Sequence, residues 1–113
     1  MELHDLGDDP SLMLLDDDEP FLRRLAKAME KRGFTVETAE SVAASKAIAT
    51  ARPPAYAVVD LRLEDGTGLD VVETLRERRP EARIVVLTGY GAIATAVAAV
   101  KIGATDYISK PAD

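Results

Sequence analysis

The feature that most constrains the fold of this 113-residue chain is a regular alternation of short apolar segments with helical ones. Strand-like segments lie at residues 12–15, 34–39, 55–59, 83–87 and 106–108. Helical patterns lie between them, at residues 19–32, 41–51, 69–79 and 92–102. Several strand segments are continuously apolar, which is typical of strands buried on both faces of a sheet. The alternation predicts one α/β domain with a five-stranded parallel sheet and right-handed crossovers.

The ends of the predicted elements carry recognisable signals. Asp18 can cap the first helix, Gly33 can end it, and Ser41 can cap the second helix. Residues 62–68 are polar and hold two glycines, so we interpret them as a loop. The predicted domain covers residues 12–113, and the acidic segment 1–11 before it is interpreted as a flexible leader.

Composition excludes several classes of function. The chain has no cysteine and one histidine, His4, which excludes disulfides, thiolate zinc sites and a Ser/His/Asp triad. Acidic residues outnumber basic ones by 20 to 14, and the net charge of −6 argues against holding a nucleic-acid backbone by charge alone. No apolar run approaches the ~20 residues of a membrane span. Because the N-terminus also lacks a signal-peptide pattern, we expect a cytoplasmic protein without a membrane partner.

Polar side chains stand where the predicted strands end. Asp16 and Asp17 follow the first strand, Asp60 the third, Thr88 the fourth and Lys110 the fifth. Because ligands of such sheets bind beyond the carboxyl ends of the strands, we expect these five side chains to converge on one edge.

Three carboxylates, a hydroxyl and an ammonium group at one place indicate a particular chemistry. Clustered carboxylates repel one another unless a cation lies between them, and hard oxygen ligands suit Mg²⁺. A metal, Lys110 and Thr88 around one carboxylate are suited to phosphoryl transfer, which depends on positioning and charge neutralisation. Asp60 is then the predicted nucleophile. Taken singly, each residue could have a purely structural role, such as a helix cap or a surface lysine. The prediction therefore depends on the combination of all five.

At these residues the sequence resembles the receiver domain of two-component response regulators. The matching motifs are LLDDDE at 14–19, VVDLRL at 58–63, GTG at 66–68, VLTG at 86–89 and DYISKP at 106–111. The resemblance implies a flavodoxin-like (CheY-like), doubly wound parallel sheet with strand order 2-1-3-4-5. It also implies that a sensor histidine kinase phosphorylates Asp60, in a protein that catalyses only its own phosphorylation and dephosphorylation.

The resemblance further implies roles for the residues around Asp60. Mg²⁺ would be bound by the carboxylates of Asp17 and Asp60 and the backbone carbonyl of Arg62, with Asp16 acting through water. Thr88 would hydrogen-bond the phosphoryl group, Lys110 would pair with it, and the peptide bond from Lys110 to Pro111 would be cis.

Two pairs of residues are expected to govern the switch and its duration. By the resemblance, Thr88 moves toward the phosphoryl group and the ring of Tyr107 rotates into the space that it leaves. Arg62 and Tyr90 flank the path of attacking water, and neither is a carboxylate or amide that would orient it. We therefore expect slow self-dephosphorylation.

A narrower resemblance concerns residues 88–104, which are similar to the RegA/PrrA/ActR group of redox-responsive regulators. That group joins the receiver to a helix-turn-helix domain that is not among these residues, so DNA binding and transcription regulation are expected of the parent protein only. Receivers also continue into a fifth helix that the 113 residues lack. We therefore expect an apolar patch near Leu22, Leu25 and Met29, and an isolated monomer that is unfolded or aggregation-prone. The nearly all-apolar helix at 92–102 is expected to contact a second copy or the output domain.

Three other functions fit the sequence less well. A pseudo-receiver, a protein-interaction module without phosphorylation, would usually lack the acceptor Asp or the Lys, and both are present. A haloacid-dehalogenase-like phosphatase needs an acid two residues before Asp65, where this chain has Leu63. A dinucleotide-binding module needs a GxGxxG motif after the first strand, where this chain has acidic residues instead.

Overall fold

The computed structural model describes residues 8–89 and 93–110. Its elements are β1 (Ser11–Leu15), α1 (Glu19–Lys31), β2 (Thr35–Ala39), α2 (Val42–Ala51), β3 (Tyr56–Asp60), β4 (Arg62–Leu63), β5 (Gly66–Thr67), α3 (Gly68–Arg78), β6 (Arg83–Thr88), α4 (Ile93–Lys101) and β7 (Asp106–Ser109). Five strands form one parallel sheet in the order β2-β1-β3-β6-β7. Counted within this sheet, the order is 2-1-3-4-5, which confirms the predicted flavodoxin-like topology.

The central strands are buried on both faces because helices cover both sides of the sheet. Along β1, Met13 and Leu15 pack into a core with α2 and α3, to which Val71, Val72 and Leu75 contribute. Leu12 and Leu14 point to the opposite face, where they pack with α1 and its buried Leu22. The period of two along a strand therefore explains why these segments are apolar at every position.

Short side chains fix the helix ends at the predicted places. Asp18 caps α1 by accepting a hydrogen bond from the backbone N–H of Phe21, and Ser41 caps α2 by accepting one from Ala44. Both residues satisfy amide groups that a first helical turn leaves without a partner. Because α1 begins directly after the acidic run, its cap also sets the position of that run.

Residues 62–68 differ from the predicted loop. They contain a small antiparallel hairpin, in which Arg62 pairs with Thr67 and Leu63 pairs with Gly66. The carboxylate of Asp65 accepts hydrogen bonds from Val42 N (2.9 Å) and Ala43 N (3.1 Å) at the start of α2. Strands of two residues are too short to show a periodic pattern in the sequence, and these contacts come from a distant part of the chain.

The described part of the predicted leader is bound to the sheet. Strand β1 begins at Ser11, the backbone N–H of Thr35 donates to the Pro10 carbonyl (3.0 Å), and Asp9 pairs with Arg79 at 2.8 Å. A flexible leader therefore does not extend to residue 11. Residues 1–7, Tyr90 and the predicted cis bond to Pro111 lie outside the described residues.

Within residues 8–89 and 93–110, no helix has the length and apolar character that crossing a membrane requires.

Candidate functional site

Four of the predicted side chains meet at the carboxyl edge of the sheet. Asp60 and Thr88 are the last residues of β3 and β6, while Asp16 follows β1 and Lys110 follows β7. The ammonium nitrogen of Lys110 lies 2.8 Å from Oδ2 of Asp16 and 3.8 Å from Oδ2 of Asp60. The convergence expected from the strand ends is therefore present in the fold.

Asp17 completes an acidic cluster with Asp16 and Asp60. Each of the three offers a carboxylate oxygen, and these oxygens lie within 4.8 Å of one another. Asp16 and Asp60 are 1% and 5% exposed, whereas Asp17 is open to solvent. Oxygen donors in this number, with an open side for water, fit a hard divalent cation such as Mg²⁺. Arg62, the source of the predicted carbonyl ligand, lines a cavity together with Asp17 and Asp60. Its backbone N–H donates to Asp60 Oδ1 at 3.3 Å.

Burial and neighbouring charges shift the titration of this site. Burial, together with the charge of Asp16, raises the pKa of Asp60 to about 6, although Lys110 and the Arg62 N–H act in the opposite direction. Burial lowers the pKa of Lys110, but its hydrogen bond to Asp16 and the charges of Asp60 and Asp16 outweigh this effect, so the net shift is upward. Lys110 therefore stays protonated, and an added positive charge would stabilise the ionised form of Asp60.

The hydroxyl of Thr88 is buried and can hydrogen-bond a ligand that enters the site. Thr88 is 1% exposed, and its Oγ1 has no hydrogen-bond partner among the described residues. An unpaired buried hydroxyl costs about 1–3 kcal/mol, which a bound hydrogen-bonding ligand would recover. Thr88 lines a cavity of about 720 Å³ together with Asp17, Asp60 and Lys110. This cavity offers a place for a small anionic group beside Asp60.

Gly68 allows the end of β3 and the start of α3 to lie in close contact. A Cβ at this position would lie 2.3 Å from the carbonyl oxygen of Asp60 and 2.9 Å from Cγ1 of Val59. No side chain fits there without a shift of the backbone that carries Asp60. In the sequence, Gly68 is visible only as part of the GTG motif, which does not reveal this contact.

Two other residues at the site were not predicted from the sequence. Thr95 on α4 lines the cavity, and the ring of Phe21 lies 5.1 Å from the ammonium nitrogen of Lys110. The sequence pattern indicates only that a phenylalanine in the first turn of an amphipathic helix is an ordinary core residue. No local pattern indicates that it contacts a lysine 89 positions further along the chain.

The predicted switch residues lie on neighbouring strands but are not directly opposite each other. Tyr107 is paired in register with Val86, and Thr88 with Ser109. Since Val86 and Thr88 are two residues apart on one strand, Tyr107 lies on the same face of the sheet as Thr88. Tyr107 is 38% exposed. The backbone N–H of Lys110 donates to the Thr88 carbonyl at 2.8 Å, which joins the ends of β6 and β7.

Comparison with known proteins gives concordant results. Residues 12–113 match the response regulator receiver domain. The chain is 83% identical over 110 residues to the photosynthetic apparatus regulatory protein RegA of Rhodovulum sulfidophilum, covering 97% of this chain and 60% of that protein. It is 65% identical over 108 residues to the acid tolerance regulatory protein ActR of Rhizobium meliloti, covering 96% of this chain and 56% of that protein.

A solved structure is also similar to this chain. It is a response regulator protein from Burkholderia pseudomallei with a phosphorylated aspartic acid, a calcium ion and citrate. Its TM-score to this chain is 0.85 at 42% identity, covering 93% of this chain and 62% of that one. The chain thus spans about 60% of the length of these relatives. With its sheet topology, its acidic edge and its match over residues 12–113, the chain belongs to the response regulator receiver domain family and is similar to the RegA and ActR regulators.

Proposed function

We propose that Asp60 accepts a phosphoryl group from the phosphohistidine of a sensor histidine kinase, the class of partner with which receivers interact. The observation that carries this proposal is the place of Asp60, which is buried 3.8 Å from the ammonium nitrogen of Lys110 and lines the same cavity as Thr88, whose hydroxyl has no partner among the described residues. The phosphorylated aspartic acid in the Burkholderia pseudomallei relative supports it.

The transfer exchanges one bond to phosphorus for another. A carboxylate oxygen of Asp60 attacks the phosphorus atom, the P–O bond forms and the P–N bond to the donor imidazole breaks. The electron pair of that bond stays on the imidazole nitrogen, which takes up a proton. The Lys110 ammonium lies close enough to compensate the charge on the phosphoryl oxygens, and the hydroxyl of Thr88 donates a hydrogen bond to one of them.

The acidic cluster would hold Mg²⁺ through Asp17, Asp60 and the carbonyl of Arg62, with Asp16 acting through water. When bound, the ion supplies positive charge that lowers the repulsion between the carboxylates and the incoming phosphate. Lys110 provides the only other cation that contacts both Asp16 and Asp60 among the described residues. We therefore expect weak Mg²⁺ binding in the unmodified protein and a requirement for Mg²⁺ during phosphorylation.

The response to phosphorylation would pass from Thr88 to the neighbouring strands and helix. Movement of Thr88 toward the phosphoryl group and rotation of Tyr107 would shift the balance between two packings of this edge. We propose that an output domain outside these 113 residues, as in RegA-type and ActR-type regulators, reads this shift and controls transcription. Identical Tyr107 side-chain NMR shifts with and without a phosphoryl mimic would contradict this switch.

Helix α4 is proposed as the contact surface. Ile93, Val97 and Val100 recur along one side of the helix and are 54%, 44% and 42% exposed. Three exposed apolar side chains on one stripe favour contact with a second copy or with the output domain. A Val97→Glu variant should weaken dimerisation measured by light scattering, while Lys27→Glu on the exposed side of α1 should not. Equal dimerisation by both variants would contradict this surface.

The decisive experiment is phosphorylation by a small phosphoramidate donor in the presence of Mg²⁺, followed by intact-protein mass spectrometry. We expect one added phosphoryl group in the unmodified protein and none in Asp60→Asn. No added group in either protein would favour a pseudo-receiver, and phosphate release with many turnovers would favour a phosphatase. The geometry does not favour the latter, because Leu63 lies in the β4–β5 hairpin where the phosphatase motif needs its acid.

A further inference from the structure

Lys110 lines two cavities of the molecule. It lines the cavity beside Asp60, and it also lines an apolar groove of about 660 Å³ on the α1 side of the sheet. Phe21 lines only the groove, and its ring lies under the ammonium nitrogen of Lys110, 5.1 Å from the ring centroid. The ring thus contacts the ammonium group from the groove and does not line the cavity beside Asp60.

Four successive contacts connect the Phe21 ring to the acidic cluster. The backbone N–H of Asp18 donates to Oδ1 of Asp16 at 2.9 Å, and Oδ1 of Asp18 accepts from the backbone N–H of Phe21 at 3.1 Å. The Phe21 ring faces Lys110, whose ammonium donates to Oδ2 of Asp16 at 2.8 Å. The acidic run therefore contributes carboxylates to the site and also caps the first turn of α1. The cap in turn positions the Phe21 ring.

The ring limits the places that the ammonium group can occupy. Lysine carries its charge on a flexible four-carbon stem, and holding that stem in one conformation costs side-chain entropy. The negative face of an aromatic ring attracts an ammonium group within about 6 Å, and the attraction grows as water is excluded. The Lys110 side chain is only 23% exposed, and its contacts with a ring and two carboxylates leave the ammonium group little freedom.

We infer that Phe21 is a positioning residue for phosphoryl transfer, which holds the Lys110 ammonium over Asp16 and Asp60 through its ring face. The inference rests on the proposed function, because positioning Lys110 matters for rate only if Asp60 is the acceptor. It assigns a role to the side chain that follows the acidic run in α1. Phe21 acts through Lys110 and does not itself touch the reacting atoms.

The test compares three substitutions on α1 in the complete natural protein. Phe21→Leu removes the ring but keeps an apolar side chain, Phe21→Tyr keeps a ring face, and Met29→Leu changes another groove-lining residue of the same helix. With a phosphoramidate donor and saturating Mg²⁺, we expect Phe21→Leu to slow the maximal phosphorylation rate about three- to tenfold. The donor concentration for half-maximal rate should not change. Phe21→Tyr and Met29→Leu should remain within about twofold of the unmodified protein.

A second measurement tests the contact without any substitution. A proton above an aromatic ring resonates upfield, so the ε-methylene protons of Lys110 should be shifted upfield in the unmodified protein and in Phe21→Tyr. The shift should vanish in Phe21→Leu. An unshifted Lys110 signal in the unmodified protein would overturn the inference even if Phe21→Leu failed to fold.

The outcomes separate the inference from the function on which it rests. If the unmodified protein accepts no phosphoryl group, the proposed function fails, and the role of Phe21 in the reaction fails with it. If the unmodified protein is phosphorylated and Asp60→Asn is not, but Phe21→Leu reacts as fast as Met29→Leu, only the role of Phe21 is overturned.

Discussion

At the scale of single residues, the site is an arrangement of charges that are unfavourable without a ligand. Two of its three carboxylates are buried, and one lysine contacts them both. Thr88 adds a buried hydroxyl without a partner among the described residues. In the proposed function, a bound cation and a phosphoryl group would offset these costs. Functional sites often carry local instability of this kind.

Asp60→Asn should make the metal-free protein more stable at neutral pH. The pKa of Asp60 is raised from 3.8 to about 6, so the folded state binds this proton more tightly than the unfolded chain. The free energy of unfolding therefore falls as the pH rises through this interval, by up to about 3 kcal/mol in total. We expect Asp60→Asn to gain about 1–3 kcal/mol at neutral pH and to lose this part of the pH dependence.

Urea denaturation of the complete natural protein in EDTA, at mildly acidic and at neutral pH, measures this effect. Glu64→Gln, which neutralises an exposed carboxylate beside the same cavity, is the matched control and should change stability little. An Asp60→Asn protein no more stable than the unmodified one at neutral pH would contradict the assigned cost of the buried charge.

Arg62 and Tyr90 should set how long the acyl phosphate lasts. Arg62 is exposed at the rim of the cavity and offers no acceptor that would orient an attacking water. Replacing both residues, with Arg62→Asn and Tyr90→Glu, should accelerate the decay of phosphorylated Asp60. The measurement is the loss of phosphorylated mass with time. Arg24→Asn, a change on the exposed side of α1, serves as the control, and equal decay in all proteins would count against this role.

At the scale of elements, the segment after β3 holds the site together. Leu61 contributes its carbonyl, which accepts hydrogen bonds from Gly68 N (3.1 Å) and from Oγ1 of Thr67 (3.3 Å). The carboxylate of Asp65 caps α2, and these backbone hydrogen bonds lower its pKa. The β4–β5 hairpin thus connects the end of β3 to the starts of α2 and α3.

Gly68→Ala should distort the backbone of Asp60. The added methyl group would meet the Asp60 carbonyl oxygen at 2.3 Å, which requires the start of α3 to move. Such overpacking costs about 1–3 kcal/mol. We expect a corresponding loss of stability in denaturation experiments and slower phosphorylation. Gly89→Ala is the matched control for stability, because a Cβ there would meet no atom within 4 Å. Equal stabilities of the two variants would contradict the steric argument.

At the scale of the whole molecule, the two faces of the sheet are covered unequally. The face that packs against α2 and α3 holds the larger core, whereas the α1 face leaves an apolar groove between α1 and β7. Leu25, Met29 and Val85 line this groove, and so does Ile108, which is 56% exposed. Leu22, which the sequence also places near this patch, is instead buried against the sheet.

Residues 1–113, produced alone, should fold poorly as a monomer. Covering the groove with about four large apolar side chains would add roughly 6–12 kcal/mol, which is comparable to the stability of a whole domain. We expect either a low urea midpoint with aggregation, or a dimer that covers the groove. Light scattering and urea denaturation distinguish these results. A monomer that unfolds cooperatively at a high urea concentration would contradict this expectation.

The sequence by itself determined the parallel α/β class, the helix caps and the residues of the acidic edge. These features depend on local signals, since apolar runs, capping residues and polar strand ends each lie within a few consecutive positions. The resemblance to receivers then supplied the strand order and assigned roles to Asp60, Thr88 and Lys110. Five of the predicted site residues, Asp16, Asp17, Asp60, Thr88 and Lys110, could be named before any distance was known.

Only the tertiary structure decided how distant parts of the chain meet. The β4–β5 hairpin, the close approach of Gly68 to Asp60 and the ring of Phe21 behind Lys110 have no signal in their own sequence neighbourhoods. The contact of the Phe21 ring with Lys110 depends on segments that the parallel sheet brings together from far apart in the chain. The hairpin and the approach of Gly68 to Asp60 depend instead on the path that residues 60–68 take after β3. The shift in the pKa of Asp60 has the same origin, because burial and the charge of Asp16 exist only after β1 and β3 have paired.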